Sequence, residues 1–313
     1  WTDGFIGTKD DTLRWRRIHV HNRAFENFVY AGIEAYASLM QEKDIMLKAN
    51  LRKVAMEDFA FAKHRFDSLG FKDISSIGGG GDHAAMASNS QYMANISFAA
   101  SMIYKLTGDA YYANEAANAI RYTVSCQRTE PLKDKDKLRG FFYRDQDKKS
   151  IVHYTHQSRD QVYMQALTML CETQPNHADY NKWKESIRLY GNYLKTIMQY
   201  VQPYGMVPSG VYQIDEVKDS VNFYKVQVGI FRGADKDYKE QLENGVKLDK
   251  EHYLRVFPVW FSFKGNAAVH LSTGKAAALA GKFLNDKDLI NIAEQQLFWI
   301  VGKNPFGQSY VWG

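Results

Sequence analysis

The sequence predicts an all-α protein in which helical hairpins stand side by side as a toroid, and three observations favour this fold. Apolar residues recur at steps of three and four along most of the chain, which is typical of amphipathic helices. A polar turn containing an Asp recurs between pairs of such segments. Long connections join one pair to the next, and we expect them to line the mouth of a funnel formed by the inner helices.

The recurring turns define four hairpins in order along the chain. The turns read "QEKDIM", "TGDAYY", "QPNHADY" and "LNDKDL". In each turn, Asp or Asn is expected to cap the second helix, because these short side chains accept hydrogen bonds from backbone amides. The predicted hairpins cover residues 22–69, 84–127, 159–201 and 264–302.

The segment between the third and fourth hairpins has a different pattern. Residues 202–263 lack helical spacing and contain short alternating runs such as "NFYKVQVGIF" at 222–231. We expect this segment to form a small β-containing insertion of strands and loops. A closed toroid needs more than four hairpins, so the fold is expected to be incomplete.

Charge and hydropathy restrict the possible partners. The formal net charge is +5, but Lys and Arg are spread along the chain without the basic cluster typical of nucleic-acid binding. No run of about 18 apolar residues occurs, so no membrane span is predicted. The first residues, "WTDGFIGTKDD", lack the basic start and apolar stretch of a signal peptide. No feature of the sequence indicates an oligomeric state.

The sequence predicts neither a metal nor a cofactor. Cys126 and Cys171 lie far apart in two predicted helices, without metal-ligand spacing. We expect two buried thiols, with a single disulfide as the alternative. His19 and His21 could pair as metal ligands, but no acidic triad lies near them in the sequence.

The chain is unusually rich in aromatic residues, with 20 Tyr, 18 Phe and 6 Trp. Flat rings with a polar tip pack on sugar faces and also form hydrogen bonds, so this composition is compatible with a carbohydrate-binding cleft. The alternative is a large core that is rich in aromatic side chains.

The last twelve residues, "GKNPFGQSYVWG", resemble the Gly-x-Asn-Pro-x-Gly-x-Ser-Tyr-Val-x-Gly segment of family 9 glycoside hydrolases. Residues 88–122 are similar to the third and fourth helices of that family, 159–170 to its fifth helix, and 264–286 to a late inner helix. The resemblance implies an (α/α)6-type toroid, a carbohydrate substrate, and hydrolysis with inversion. It also implies a secreted or periplasmic location.

The family's catalytic base belongs to a Trp-Tyr-Asp-Ala-Gly-Asp-His motif, which this chain matches in part. Trp1 and Asp3 match the start of the motif. The second Asp, which is the base, would fall on Ile6 and is missing, and Asp10 or Asp11 are candidate substitutes. The family's general acid is a Glu located after the Asn-Pro-x-Gly segment. The resemblance therefore predicts that residues 1–313 are one catalytic-type toroid domain that lacks its C-terminal closing helices.

A glycine-rich string, "IGGGGDHAAM" at residues 77–86, is the most unusual in the sequence. Four glycines let the backbone adopt positive φ and approach a ligand closely. Asp82 and His83 follow at the start of a helix. This loop either delivers both side chains to the mouth of the funnel or is a plain connector that ends in a helix cap.

The string "HYTHQSRDQ" at residues 153–161 concentrates polar side chains just before an inner helix. Arg159 suits a carboxylate or a sugar diol through paired hydrogen bonds. Asp160 suits acid/base catalysis if burial raises its pKa. Tyr154 and His156 complete the group, and the alternative is a cap at Ser158 with a surface ion pair.

Three functions are compatible with these residues. The first is a glycoside hydrolase on poly- or oligosaccharides, in which Asp3, Asp82 and Asp160 form the acid/base set. The second is an enzyme on acidic sugars, either a polysaccharide lyase, in which Tyr154 and His156 abstract a proton beside a uronate carboxyl group, or an unsaturated uronide hydrolase. The third is a non-catalytic carbohydrate-binding toroid. The predicted substrate-binding residues are Trp1, His83, Tyr154, His156, Arg159, Tyr212, Arg255, Asn304 and Tyr310.

Overall fold

A computed structural model describes residues 23–72, 87–152, 159–221, 223, 233–257 and 266–311. Two helices precede residue 72: α1 (Ala24–Met40) and α2 (Ile45–Leu69). Those that follow are α3 (Asn89–Thr107), α4 (Ala110–Ser125), α5 (Gln161–Thr173) and α6 (Tyr180–Met198). The next helix, α7 (Ala234–Glu243), belongs to the insertion described below. The last two helices are α8 (Asn266–Leu284) and α9 (Lys287–Ile300). All four predicted hairpins are confirmed.

In its described residues, the insertion contains a three-stranded antiparallel sheet and the α-helix α7. In chain order its elements are β1 (Gly210–Gln213), α7 (Ala234–Glu243), β2 (Val246–Lys247) and β3 (His252–Arg255). The strand order is β1-β3-β2, with Gly210 opposite Arg255. The predicted β insertion is thus confirmed. Of the run at 222–231, only residue 223 lies within the described residues.

Helix α7 corrects the expectation that the insertion has no helical pattern. Its sequence, "ADKDYKEQLE", is polar except for two large apolar residues, Tyr238 and Leu242. Both are fully buried and belong to a small core shared with Tyr212 and Tyr253 of the sheet. Two apolar residues one turn apart are too few for a recurrent pattern, so the tertiary contact with the sheet reveals this helix.

The four hairpins stand in a row. Helices α1, α3, α5 and α8 pack successively against one another as an inner layer. Helices α2, α4, α6 and α9 each pack on their own partner as an outer layer. The inner helix α3 is buried on most sides, whereas the outer helix α2 buries only Ala55, Phe59 and Ala62. This arrangement is an (α/α)6-type helical toroid with a small β insertion.

Capping by Asp is confirmed at three of the four hairpin turns. Asp44, Asp109 and Asp286 each accept a hydrogen bond from a backbone amide of the first turn. The fourth Asp behaves differently, because the Asp179 carboxylate pairs with Lys182 at 2.8 Å and with Arg121 at 3.5 Å. It makes no capping hydrogen bond.

Many of the aromatic side chains lie in the core. Phe28 contacts Phe59 between α1 and α2, with 5.3 Å between ring centres. Phe25 contacts Tyr92 between α1 and α3 at 5.2 Å. The interpretation of the aromatic content as core packing is therefore correct for these residues.

The two cysteines are free and buried. Burial raises the pKa of Cys126 and of Cys171 to about 12, so both thiols are protonated at neutral pH. The disulfide alternative is therefore wrong. Within the described residues, no helix is long and apolar enough to span a membrane, and no group of three His, Cys, Asp or Glu side chains is arranged to hold a metal.

Candidate active site

A small cavity lies next to Asp160, the residue that precedes α5. Its volume is about 40 Å³. Side chains from α5, α6, α8, the connection before α5 and the insertion all contribute to it. The lining residues are Phe141, Phe142, Val152, Asp160, Tyr163, Tyr190, Tyr193, Leu194, Ile197, Val207, Pro208, Ser209, Val269 and Thr273.

The Asp160 carboxyl group is partly buried and has little to stabilise its charge. Within the described part of the chain, its one hydrogen bond is to its own backbone amide. Burial raises the pKa of Asp160 from 3.8 to about 6. The sequence made Asp160 an acid/base candidate on the condition that burial raises its pKa. This condition is met, because a group with such a pKa exchanges its proton near neutral pH.

The start of α5 is held in place by α8. The backbone amide of Gln161 donates to the Ser272 hydroxyl at 3.3 Å, and that hydroxyl donates to the Gln161 side-chain oxygen. This reciprocal pair joins the first turn of α5 to an inner neighbour. Asp160 precedes that turn, so its backbone is positioned by a contact between two inner helices.

Tyr163 on α5 forms one wall of the cavity, and its hydroxyl group is already bonded. The hydroxyl lies 2.8 Å from Ser90 Oγ, which in turn donates to the Tyr143 carbonyl oxygen at 2.8 Å. Since Ser90 has a single proton, Tyr163 is the donor of the pair. The Tyr163 ring also stacks on Phe142, with ring centres 4.0 Å apart.

Tyr190 and Tyr193 on α6 also line the cavity. The Tyr193 hydroxyl accepts a hydrogen bond from the Val211 backbone amide, which ties α6 to β1. The Tyr190 side chain is only 6% exposed. Burial raises its pKa well above 10, and the nearby Asp160 charge adds to this effect.

The connection before α5 is fixed against α6 by Gly140. This residue has φ of +105°, and a Cβ at this position would lie 2.1 Å from the Leu189 carbonyl oxygen. Gln127 strengthens the contact, since its side-chain amide donates to the carbonyl oxygens of Gly140 at 2.9 Å and Ser186 at 3.0 Å. The close approach brings the next two residues, Phe141 and Phe142, into the cavity wall.

Three of the predicted substrate-binding residues, Arg159, Tyr212 and Arg255, are described by the structure and do not line this cavity. The Arg159 guanidinium lies over the Phe25 ring, 4.8 Å from its centre. Tyr212 is buried in the core of the insertion, and its hydroxyl lies 2.8 Å from Ser209 Oγ. Arg255 is the strand partner of Gly210 and is half-buried. Their roles in sugar binding stay predictions.

Asn304 and Tyr310 lie in the loop after α9, and neither lines the Asp160 cavity. The Asn304 side chain donates to the carbonyl oxygens of Trp299 and Gln308, at 2.8 and 2.7 Å. Its oxygen accepts from the Phe306 amide at 3.0 Å. Tyr310 stacks on Trp299 at 5.5 Å and is exposed. Asn304 thus shapes the loop, and the Tyr310 ring is the accessible group.

The other predicted site residues lie outside the described residues. These are Trp1, Asp3, Asp82, His83, Tyr154 and His156.

Sequence reasoning missed the tyrosines beside Asp160. Tyr190 and Tyr193 are spaced as on the apolar face of a helix, so the sequence offers no signal that separates them from core residues.

The fold and the site together define a class of protein, a helical toroid with a titratable carboxyl group in an aromatic cavity. The model of glycosyl hydrolase family 9 matches residues 28–313, and the chain belongs to this family. The resemblance seen in the sequence is therefore confirmed, and the family is one of glycoside hydrolases.

Solved structures of a cellulase are similar to the chain. One is the cellulase Cel9M of C. cellulolyticum, with 15% identity, a TM-score of 0.31, and coverage of 93% of this chain and 67% of that chain. A second is the same cellulase in complex with cellobiose, with 14% identity, a TM-score of 0.30, and coverage of 93% and 66%. The chain thus spans about two thirds of the length of these structures. A search of curated proteins finds no match.

Proposed function

We propose that this protein hydrolyses glycosidic bonds in poly- or oligosaccharides by acid/base catalysis with inversion, and that Asp160 is its proton donor. The observation that carries this proposal is the Asp160 carboxyl group in this cavity, whose pKa of about 6 leaves half of it protonated at that pH and roughly a tenth at pH 7. An inverting enzyme needs such a group to protonate the leaving oxygen. Membership of glycosyl hydrolase family 9 supports the reaction class.

The cavity beside Asp160 constrains where the sugar binds. Its volume of about 40 Å³ is far below the ~300 Å³ at the lower end of ligand pockets. The sugar ring therefore lies outside the cavity, and the leaving oxygen must approach the carboxyl group from its rim. The second carboxyl group, which activates water from the opposite face of the sugar, is Asp3 or Asp82 in this proposal.

Replacement of Asp160 tests the proposal. The variant Asp160→Asn keeps the shape of the side chain and removes its acidic proton. With a polysaccharide that the unmodified protein hydrolyses, kcat/KM should fall by roughly 10²–10⁴. The exposed Asp147 gives a matched control, Asp147→Asn, which should leave kcat/KM unchanged. Full activity of Asp160→Asn would remove Asp160 from the mechanism.

Product analysis in the same assay separates the alternatives. NMR of the first products should show an inverted anomeric centre. An ultraviolet-absorbing unsaturated product would instead indicate a lyase that acts on uronates. Sugar binding without turnover by the unmodified protein would indicate a non-catalytic toroid.

We also infer a secreted or periplasmic location. The inference rests on the proposed substrate, because polysaccharides do not cross a membrane intact. Fractionation of the native cells, with the protein followed by antibody, tests this location.

A further inference from the structure

The cavity beside Asp160 has the size of a small water cluster. A water molecule needs about 10–15 Å³ of cavity volume, so a cavity of about 40 Å³ accommodates roughly three or four. The wall includes polar groups from Asp160, Tyr190, Ser209 and Thr273, in addition to its aromatic rings. A polar cavity of this size holds water, whereas a purely apolar one stays dry.

Of the three tyrosines that line the cavity, only Tyr190 makes no hydrogen bond through its hydroxyl group to a residue that the structure describes. Tyr163 donates to Ser90, and Tyr193 accepts from the Val211 amide. No residue that the structure describes forms a hydrogen bond with the Tyr190 hydroxyl, although that side chain is 94% buried. The hydroxyl atom itself is not fully buried, so water in the cavity can reach it and serve as its hydrogen-bond partner.

Asp160 supplies the complementary group. Its carboxyl group lines the same cavity, and its one hydrogen bond within the described residues is to its own backbone amide. Among the described residues, the three tyrosines are the titratable side chains whose pKa values respond to its charge. Tyr190 stays a neutral phenol at working pH because its pKa is well above 10, so it is always able to donate.

We propose that the cavity binds ordered water between the Tyr190 hydroxyl and the Asp160 carboxyl, and that Tyr190 is thereby a positioning residue for Asp160. The Tyr190 hydroxyl donates to a water molecule, and that water donates to a carboxylate oxygen. The chain of donors favours the ionised carboxylate and fixes its orientation. The catalytic consequence rests on the proposed function, but the water site itself does not.

The variant Tyr190→Phe tests this arrangement. Loss of the Tyr190 hydroxyl removes the first donor of the hydrogen-bond chain that ends on the carboxylate. The pKa of Asp160 should therefore rise by roughly half a unit or more, as measured by carbon-13 NMR of the carboxyl group in the full chain. The basic limb of the kcat/KM profile should move upward with it. Asp160→Asn identifies the resonance. Tyr163→Phe is the matched control and should leave the pKa of Asp160 in place, because the Tyr163 hydroxyl donates its proton to Ser90 and not into the cavity.

A high-resolution crystal structure of the unmodified protein provides a second test that needs no variant. Ordered water within hydrogen-bond distance of both the Tyr190 hydroxyl and the Asp160 carboxyl is expected. A dry cavity, or an unchanged pKa of Asp160 in Tyr190→Phe, would overturn the proposal. If the pKa shifts but Asp160→Asn keeps full activity, the proposed function fails and the water site stands.

Discussion

At the scale of single residues, the surroundings of a carboxyl group decide its chemistry. Asp160 and Asp286 both stand immediately before the first turn of a helix. Lys195 lies 2.6 Å from Asp286 and lowers the pKa of that carboxyl group. No such cation pairs with Asp160 among the described residues, and burial raises its pKa to about 6. Residue type and helix position alone therefore do not identify the catalytic candidate.

His270 is a second residue whose titration follows from burial. Its side chain is 4% exposed and meets the Trp299 ring edge-on, with 4.9 Å between ring centres. Burial lowers the pKa of His270 to about 4. The folded protein thus binds a proton less readily than the unfolded chain, where the pKa is about 6.5.

We predict an acid-dependent loss of stability that His270 causes. The neutral His270 side chain contributes fully to the free energy of unfolding above pH 6.5. As the pH falls toward 4, this free energy decreases by up to about 3 kcal/mol. Urea unfolding at several pH values should show a shallower pH dependence over this window in His270→Leu. The exposed His64 supplies the control, since His64→Gln should keep the slope of the unmodified protein. An unchanged slope in His270→Leu would contradict this prediction.

At the scale of elements, the contact between the loop at Gly140 and helix α6 sets one wall of the site. We predict that Gly140→Ala costs about 3 kcal/mol or more of unfolding free energy, because the added carbon would meet the Leu189 carbonyl oxygen. The control is Gly108→Ala, where φ is also positive (+74°) but no atom lies within 4 Å. Gly108→Ala should lower the free energy of unfolding by only ~1–2 kcal/mol, which is the cost of placing Ala in a left-handed backbone conformation.

Thermal or urea unfolding of both variants measures the difference. Equal losses in the two variants would mean that backbone conformation, and not the close approach to α6, requires glycine at position 140.

The hairpins were predictable from sequence because their signals are local. Apolar spacing and the capping residues Asp44, Asp109 and Asp286 act within a few residues of the helices that they define. Helix α7 was not predictable, since it has only two buried apolar residues and their packing partners lie on the sheet, distant in sequence. The ion pair between Asp179 and Arg121 was not predictable either, because Arg121 comes from another hairpin.

At the scale of the whole molecule, both ends of the row of hairpins expose apolar side chains. Tyr30, Ile33 and Tyr36 on α1 are each about half exposed, at 48%, 54% and 51%. At the other end, a largely apolar groove of about 320 Å³ lies between α8 and α9, with Leu271 and Leu297 among its lining residues. Each of these faces is therefore an apolar surface that is open to contact with a further helix or a second copy of the chain.

We predict that a chain of these 313 residues associates with itself through the α8–α9 groove. Exposed apolar patches favour association. Removing the groove leucines in Leu271→Gln with Leu297→Gln should weaken self-association at least roughly tenfold, as judged from the apolar area lost. Sedimentation velocity over a range of concentrations measures the change. Val221→Gln, at an exposed position outside the groove, should leave association as it is.

The sequence by itself determined the helical hairpins, the β insertion and the family, since each depends on patterns within short segments. It also placed Asp160 among the acid/base candidates. Only the tertiary structure decided the environment of that carboxyl group, because Tyr163, Tyr190 and Ser209 reach it from separate elements. The burial and hydrogen bonding of a carboxyl group depend on residues that are close in space, and these cannot be read from the spacing of residues along the chain.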